Sequence, residues 1–268
     1  MKKKRKIASG IYIALVMLFL YLPIAVLILY SFNNGKTSVW KGFTLKWYYE
    51  LFNNSAIMTS LYNTVIVAVI ASIVSTVLGT LAAVGIYNMK KTVRTVVTNV
   101  SNVPIINPEI VTGVSFMLLF TFLGNIFNFE MGFWTVLIAH ISFCTPYVVL
   151  NVMPKLRQMD YSIYEAALDL GCNQRQAFMK TVVPEIMPGV VSGLLMSFTY
   201  SLDDFVITYF TRGARFQTLP IQIYTMLRRR ISPTINALST LLFVVTITIL
   251  IIVNVREYRA EKARAANS

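Results

Sequence analysis

Long stretches without one charged side chain do most to limit what this chain can become. Asp, Glu, Lys and Arg are absent from Ile7 to Gly35, Leu51 to Met89, Ile110 to Phe129, Ile186 to Leu202 and Ile231 to Val255. Apolar runs of about 20 residues match a hydrocarbon layer roughly 30 Å thick, and the core helices of soluble domains are shorter. Charged residues make up only 13% of the chain, where soluble domains carry about 25%. The chain therefore reads as an all-α protein that crosses a membrane several times.

The hydropathy pattern predicts one transmembrane domain over residues 1–268, with spans near 11–31, 61–87, 104–124, 133–153, 189–210 and 235–255. Lys2 to Lys6 precede the first span. That span is longer than a signal-peptide core and no small-residue cleavage site follows it, so it reads as a retained anchor. Six spans place both termini on one side. The inner segments then hold twice as many Lys and Arg as the outer ones, which sets both termini in the cytoplasm. Arg228 to Arg230 form an exceptional basic cluster on the outer side, within a stretch expected to lie at the surface as a short amphipathic helix.

Charge and composition also exclude functions. The net charge of +13 is spread between apolar runs, where it serves topology and anionic lipid contacts, and forms no basic face for nucleic acid. Cys144 and Cys172 have neither metal-ligand nor disulfide spacing and read as packing residues. His140 stands alone in an apolar run, as expected of a hydrogen-bonded structural histidine. One histidine, no serine elbow and no metal cluster leave little for an intramembrane enzyme.

Two connections stand out. The outer one, Phe32 to Ser60, is rich in aromatics (Trp40, Phe43, Trp47, Tyr48, Tyr49) of the kind that anchor at a membrane interface. The inner one, between the fourth and fifth spans, places Ile163, Ala166, Ala167 and Leu170 on one helical stripe. Gly171 follows, suited to a left-handed helix end. A second stripe of Ala177, Phe178, Thr181 and Val182 is expected to stop before Pro184. The result is a short helix, a glycine turn and a second helix over 160–184. The cytoplasmic ends of the bundle itself could cover such a stripe.

Acidic side chains inside spans are costly, roughly 2.5–3.5 kcal/mol each on insertion scales, and point to function. Asp203 and Asp204 lie well within the fifth span, and Glu109 lies near the inner end of the third, after Pro104 and Pro108. Pro108 and Gly113 are expected to loosen that helix and open backbone carbonyls to a cavity. Ser197, Tyr200, Ser201 and Asp204 share a helical face, and Asp203 points about 100° away, so one aspartate can face a pathway and the other a neighbouring helix. No basic residue lies in these spans to serve an anion, so a cationic substrate fits them. Pairing of either aspartate with Arg212, Arg215 or an arginine of a partner chain is the structural alternative.

The inner connection resembles the EAA loop of ABC-importer permease subunits. Glu165-Ala166-Ala167, Gly171 and Pro184 hold the family's register, and Thr181 and Val183 stand where it prefers Ile and Leu. The resemblance implies a type I importer permease fold, with the loop docking on a separate ATPase and passing its closure to the spans. This chain lacks a phosphate loop, since Gly35-Lys36-Thr37 has no upstream glycine. ATP and magnesium would then belong to the partner, and no cofactor to this chain. Thr44-Leu45-Lys46-Trp47-Tyr48, Asn107-Pro108-Glu109 and Tyr200-Ser201 before Asp203-Asp204 resemble the spermidine/putrescine permeases. That resemblance implies polyamine passage along Trp47, Glu109, Ser201, Asp203 and Asp204, with Tyr200 on the same path. It also implies a second, homologous permease chain, two ATP-binding subunits and an extracytoplasmic polyamine-binding protein at a bacterial cytoplasmic membrane. An importer of the same kind for another cationic or chelated solute, and an ion-coupled carrier working alone, are the rival readings.

Overall fold

The computed structural model describes residues 2–35, 39–229 and 233–266. Arg230 and Lys36 fall outside them. Among the described residues the regular structure is helical, with one isolated bridge between Asn33 and Phe43. Among the described residues, five helical stretches are long and apolar enough to cross a membrane: Tyr12–Ser31, Ser55–Tyr87, Glu109–Phe127, Phe133–Gln158 and Gln174–Asp203. The chain divides into two compact units, one made of residues up to Met58 and from Ile223 onward, the other of Thr59–Gln222.

The first unit holds α1 (Lys2–Ser31), α2 (Lys46–Asn53) and α12 (Pro233–Ala266), with α12 packed on both others. The expected sixth span lies inside α12. The aromatic outer segment is a knot rather than a loose loop. The Asn33 side chain accepts from the amides of Gly35 and Lys41 and donates to the Val39 carbonyl, closing the turn. The Phe32 and Phe43 rings stack at 5.3 Å, and Tyr48 and Ser31 share a 2.7 Å hydrogen bond. Trp40 and Tyr49 remain exposed, as interface anchors do.

The second unit is built on α6 (Phe133–Gln158), whose long buried face packs along α9 (Val183–Asp203). Val148, Val149, Val152 and Leu156 of α6 meet Ala83 and Ile86 of α3 (Ser55–Tyr87) and Val182 and Ile186 of the α9 rod. β-branched residues pack well here because their single rotamer is already set in a helix. Asn63 of α3 donates to the Gln217 carbonyl and Thr64 accepts from the Leu219 amide, fixing the chain before α11 (Leu219–Arg229).

Two expected spans are broken. The third was expected from 104, but a helix from Lys91 to Ile106 (α4) ends there and α5 starts anew at Glu109 and runs to Phe127. Asn107 and Pro108 are extended, with ψ of 136° and 132°. Proline disfavours the helical conformation at the residue before it, which places the break at Asn107. The fifth span, expected over 189–210, ends as α9 at Asp203. Asp204 is extended, and a short helix, α10 (Val206–Thr211), follows.

The expected stop before Pro184 is not found. After α7 (Ser162–Asp169) and Gly171, the chain re-enters helix at α8 (Gln174–Ala177) and stays helical through a π turn, Phe178–Val182, into α9. The Val183 amide reaches back five residues to the Phe178 carbonyl. This wider turn absorbs the change of register, and Pro184 then sits in the first turn of α9, where its missing N–H costs little.

Candidate functional site

The two broken helices face each other across a cavity of about 230 Å³ inside the second unit. The first break contributes Pro104, Glu109 and Thr112; the second contributes Tyr200, Asp203, Asp204, Phe205, Val206 and Ile207; α6 adds Phe143 and Tyr147. Asn107 donates across the first break to Thr112 Oγ1 at 3.1 Å, and the Tyr147 and Tyr200 rings stack at 4.3 Å. α4 and α9 both end at their breaks. A helix leaves its last carbonyls without internal partners, and its dipole is negative there. Glu109 and Asp203 add formal charge. Both are exposed, and neither has an ion-pair partner among the described residues. The N-termini of α5 and α10 lie at the same breaks and offset those dipoles, so the acids and aromatic faces are what favour a cation.

α10 comes close to α5 because Gly113 has no side chain. A β-carbon there would lie 2.8 Å from the Phe210 ring and 3.4 Å from the Val206 carbonyl oxygen. Thr135 of α6 donates to the Thr211 carbonyl at 2.7 Å and holds the far end of α10.

Asp204 differs from its neighbour. Its side chain is only 5% exposed. Oδ1 accepts from the Ile207 amide at 3.2 Å, and Oδ2 accepts from the Thr208 amide and hydroxyl, both at 2.7 Å. The carboxylate thus satisfies the first amides of α10, as capping residues do. Since Thr208 gives its hydroxyl proton to Asp204, its oxygen is left to accept from His140 Nε2, 2.9 Å away. His140 Nδ1 then accepts from the Ser201 hydroxyl at 2.7 Å. The chain of donors runs from Ser201 through His140 and Thr208 to Asp204, and His140 Nε2 also lies 3.4 Å from Asp204 Oδ2 directly. His140 and Ser201 are buried, and the imidazole lies against the Phe143 ring.

The predicted pathway residues are therefore only partly assembled. Glu109, Tyr200, Asp203 and Asp204 line one cavity. Ser201 lies behind it, bound to His140. Neither Arg212 nor Arg215 pairs with the aspartates: Arg212 donates to the Phe216 carbonyl and covers the Tyr209 ring. Trp47 belongs to the first unit, is 4% exposed and donates from its indole nitrogen to the Asn33 carbonyl at 2.7 Å. His140 was legible as a bonded histidine, but its partners were not. The nearest signal was a threonine four residues after Asp204, the spacing at which a capping carboxylate can hold it.

The inner loop forms a second site. Its first stripe is not covered by the bundle: Ile163 is 51% exposed and Leu170 87%. Glu165 and Ala166 also face outward. Gly171 has a φ of 85°, and its amide donates to the Leu168 carbonyl, closing α7. The second stripe behaves differently: Ala177 is buried, and Val182 is buried against α6 and α3. Before α7, the Ser162 amide and side chain donate to Asp160 and hold its carboxyl below the usual range.

Known proteins resemble this chain over most of its length. Residues 75–258 match the family described as binding-protein-dependent transport system inner membrane component. The chain is 35% identical to the spermidine/putrescine transport system permease protein PotC of Escherichia coli K12, over 92% of each chain. It is 34% identical to PotC of Haemophilus influenzae over 87% of this chain and 90% of that one. To the E. coli putrescine transport system permease protein PotI it is 36% identical, over 84% and 81%. Among solved structures, a bacterial ABC transporter involved in import of the acidic polysaccharide alginate superposes with a TM-score of 0.74 at 15% identity, over 94% of this chain and 96% of that one. An amino acid ABC transporter gives 0.60 at 18%, over 81% and 99%. These structures share the fold, and one of them serves an acidic cargo, so the fold leaves the sign of the cargo's charge to the site. The chain belongs to the family of binding-protein-dependent transport system inner membrane components, as an all-α, multi-pass membrane permease.

Proposed function

We propose that this permease passes polyamines into the cytoplasm as the membrane subunit of an ATP-driven importer. The observation that carries the cargo is the cavity between two helix breaks, where Glu109 and Asp203 present carboxylates beside helix C-termini and the stacked Tyr147 and Tyr200. Ammonium groups on a flexible chain suit this surface, since each can donate charge-assisted bonds to a carboxylate while methylenes lie on the rings. The relatives named for spermidine and putrescine support the same cargo.

The energy comes from outside the chain. The stripe left bare at Ile163 and Leu170 is an apolar face that needs a cover. A separate ATPase fits that role, with Glu165 at the contact and two copies serving two permease chains. ATP and magnesium are held there, and an extracytoplasmic binding protein delivers the polyamine. Both termini lie in the cytoplasm, at a bacterial cytoplasmic membrane. Trp47 acts nearer the outer mouth by steadying the knot that carries Lys46 and Tyr48.

Uptake of labelled putrescine into vesicles holding the whole complex tests this. Unlabelled spermidine should compete; an uptake that neither polyamine inhibits would sink the cargo.

A further inference from the structure

The second break is held by a relay that the transport reading does not use. We propose that His140 is a positioning residue: through Thr208 and by its own 3.4 Å approach to Oδ2 it keeps the Asp204 carboxylate over the start of α10, leaving Asp203 as the carboxylate of that pair that meets the cargo. The claim rests on cargo passing through the cavity, but its geometry stands apart from the cargo's identity.

Three observations carry it. Asp204 accepts from three donors and is almost wholly buried, so its oxygens are taken up inside the protein. Asp203, one residue earlier, is exposed on the cavity wall. The relay ties α6, α9 and α10 together at the one point where the α9 rod is interrupted. Without His140, the Thr208 hydroxyl and Ser201 would each lose a buried partner, and the polar groups at the break would draw in water. Asp204 would then be free to turn into the cavity and compete for the ammonium groups.

His140 is the chain's single histidine, so the relay has a direct readout. The full chain, purified on a tag free of histidine and labelled with ¹⁵N-histidine, should show a proton on Nε2 and an acceptor at Nδ1. Asp204→Asn should move these resonances and Asp203→Asn should leave them. A proton on Nδ1, or equal responses to the two variants, overturns the relay.

The second arm is putrescine uptake by the whole complex, normalised to permease in the membrane. His140→Ala and Asp204→Asn should each cut the maximal rate about tenfold with KM nearly unchanged, and the double variant should be no worse than either alone. His140→Gln, whose amide can still donate towards Thr208, should recover much of the rate, and it carries the cycle if His140→Ala fails to accumulate. Asp203→Asn should instead raise KM by roughly tenfold or more, the loss expected of a charge-assisted bond. Additive effects of His140→Ala and Asp204→Asn, or a raised KM in Asp204→Asn, overturn the proposal. If the wild-type complex takes up no polyamine, the cargo reading fails and the resonances alone decide the relay.

Discussion

Asp203 and Asp204 carry the same side chain one residue apart on one cavity wall, and a helical step of about 100° leaves the first exposed and the second buried as a cap. The helical wheel separates them from sequence alone. It does not say which faces inward, because that depends on His140, more than sixty residues away on α6. Gly113 is a similar case. Its place after Pro108 suggested a loosened helix, whereas its work is to admit Phe210 and the backbone of α10. Gly113→Val should therefore destabilise the protein by about 1–3 kcal/mol through overpacking. Thermal unfolding of the purified complex checks this, and Gly113→Ala should cost less, because the Phe210 ring can swing aside.

At the scale of elements, the inner loop is two helices of opposite fate. α7 leaves its apolar stripe outside, and the π turn and α9 bury theirs. Gly171 sets the angle between them from the left-handed region, where a β-carbon costs roughly 1–2 kcal/mol. Gly171→Val should mis-aim α7, so that less ATPase subunit co-purifies and uptake falls by about an order of magnitude. Co-purification and uptake measured together check it; normal values for both would contradict the docking role. Much of this was legible in the sequence: the stripe, the glycine and the amphipathic follow-on are local patterns. The passage through Pro184 was not, since a proline after an apolar run reads as a stop unless a turn of different pitch takes up its missing amide. The same limit hid the break after Asp203. No proline or glycine marks it, and it exists because Asp204 caps the next turn better than it would continue the last.

At the scale of the whole molecule, the all-α membrane class was the most legible part, because twenty apolar residues can hardly do anything but cross a bilayer. Where the helices break was less legible, and the breaks make the cavity. A permease that borrows its energy should be inert by itself. Vesicles holding only this chain and a second permease should show no concentrative uptake under an ion gradient, and adding the ATPase subunits with ATP should start it. Uptake driven by the gradient alone would revive the ion-coupled carrier. From Gln174 to Asp203 the chain is helical for 30 residues, about 45 Å of rod between the docking loop and the acid that faces the cavity. Each residue added to that rod would advance it 1.5 Å and rotate it 100°. Inheritance is thus constrained in length more than in letters. Related chains can exchange the exposed side chains along 174–203 but can insert or delete almost nothing there. Removing one residue from 178–182, where the π turn already holds a surplus, is the one change of length this stretch is built to absorb.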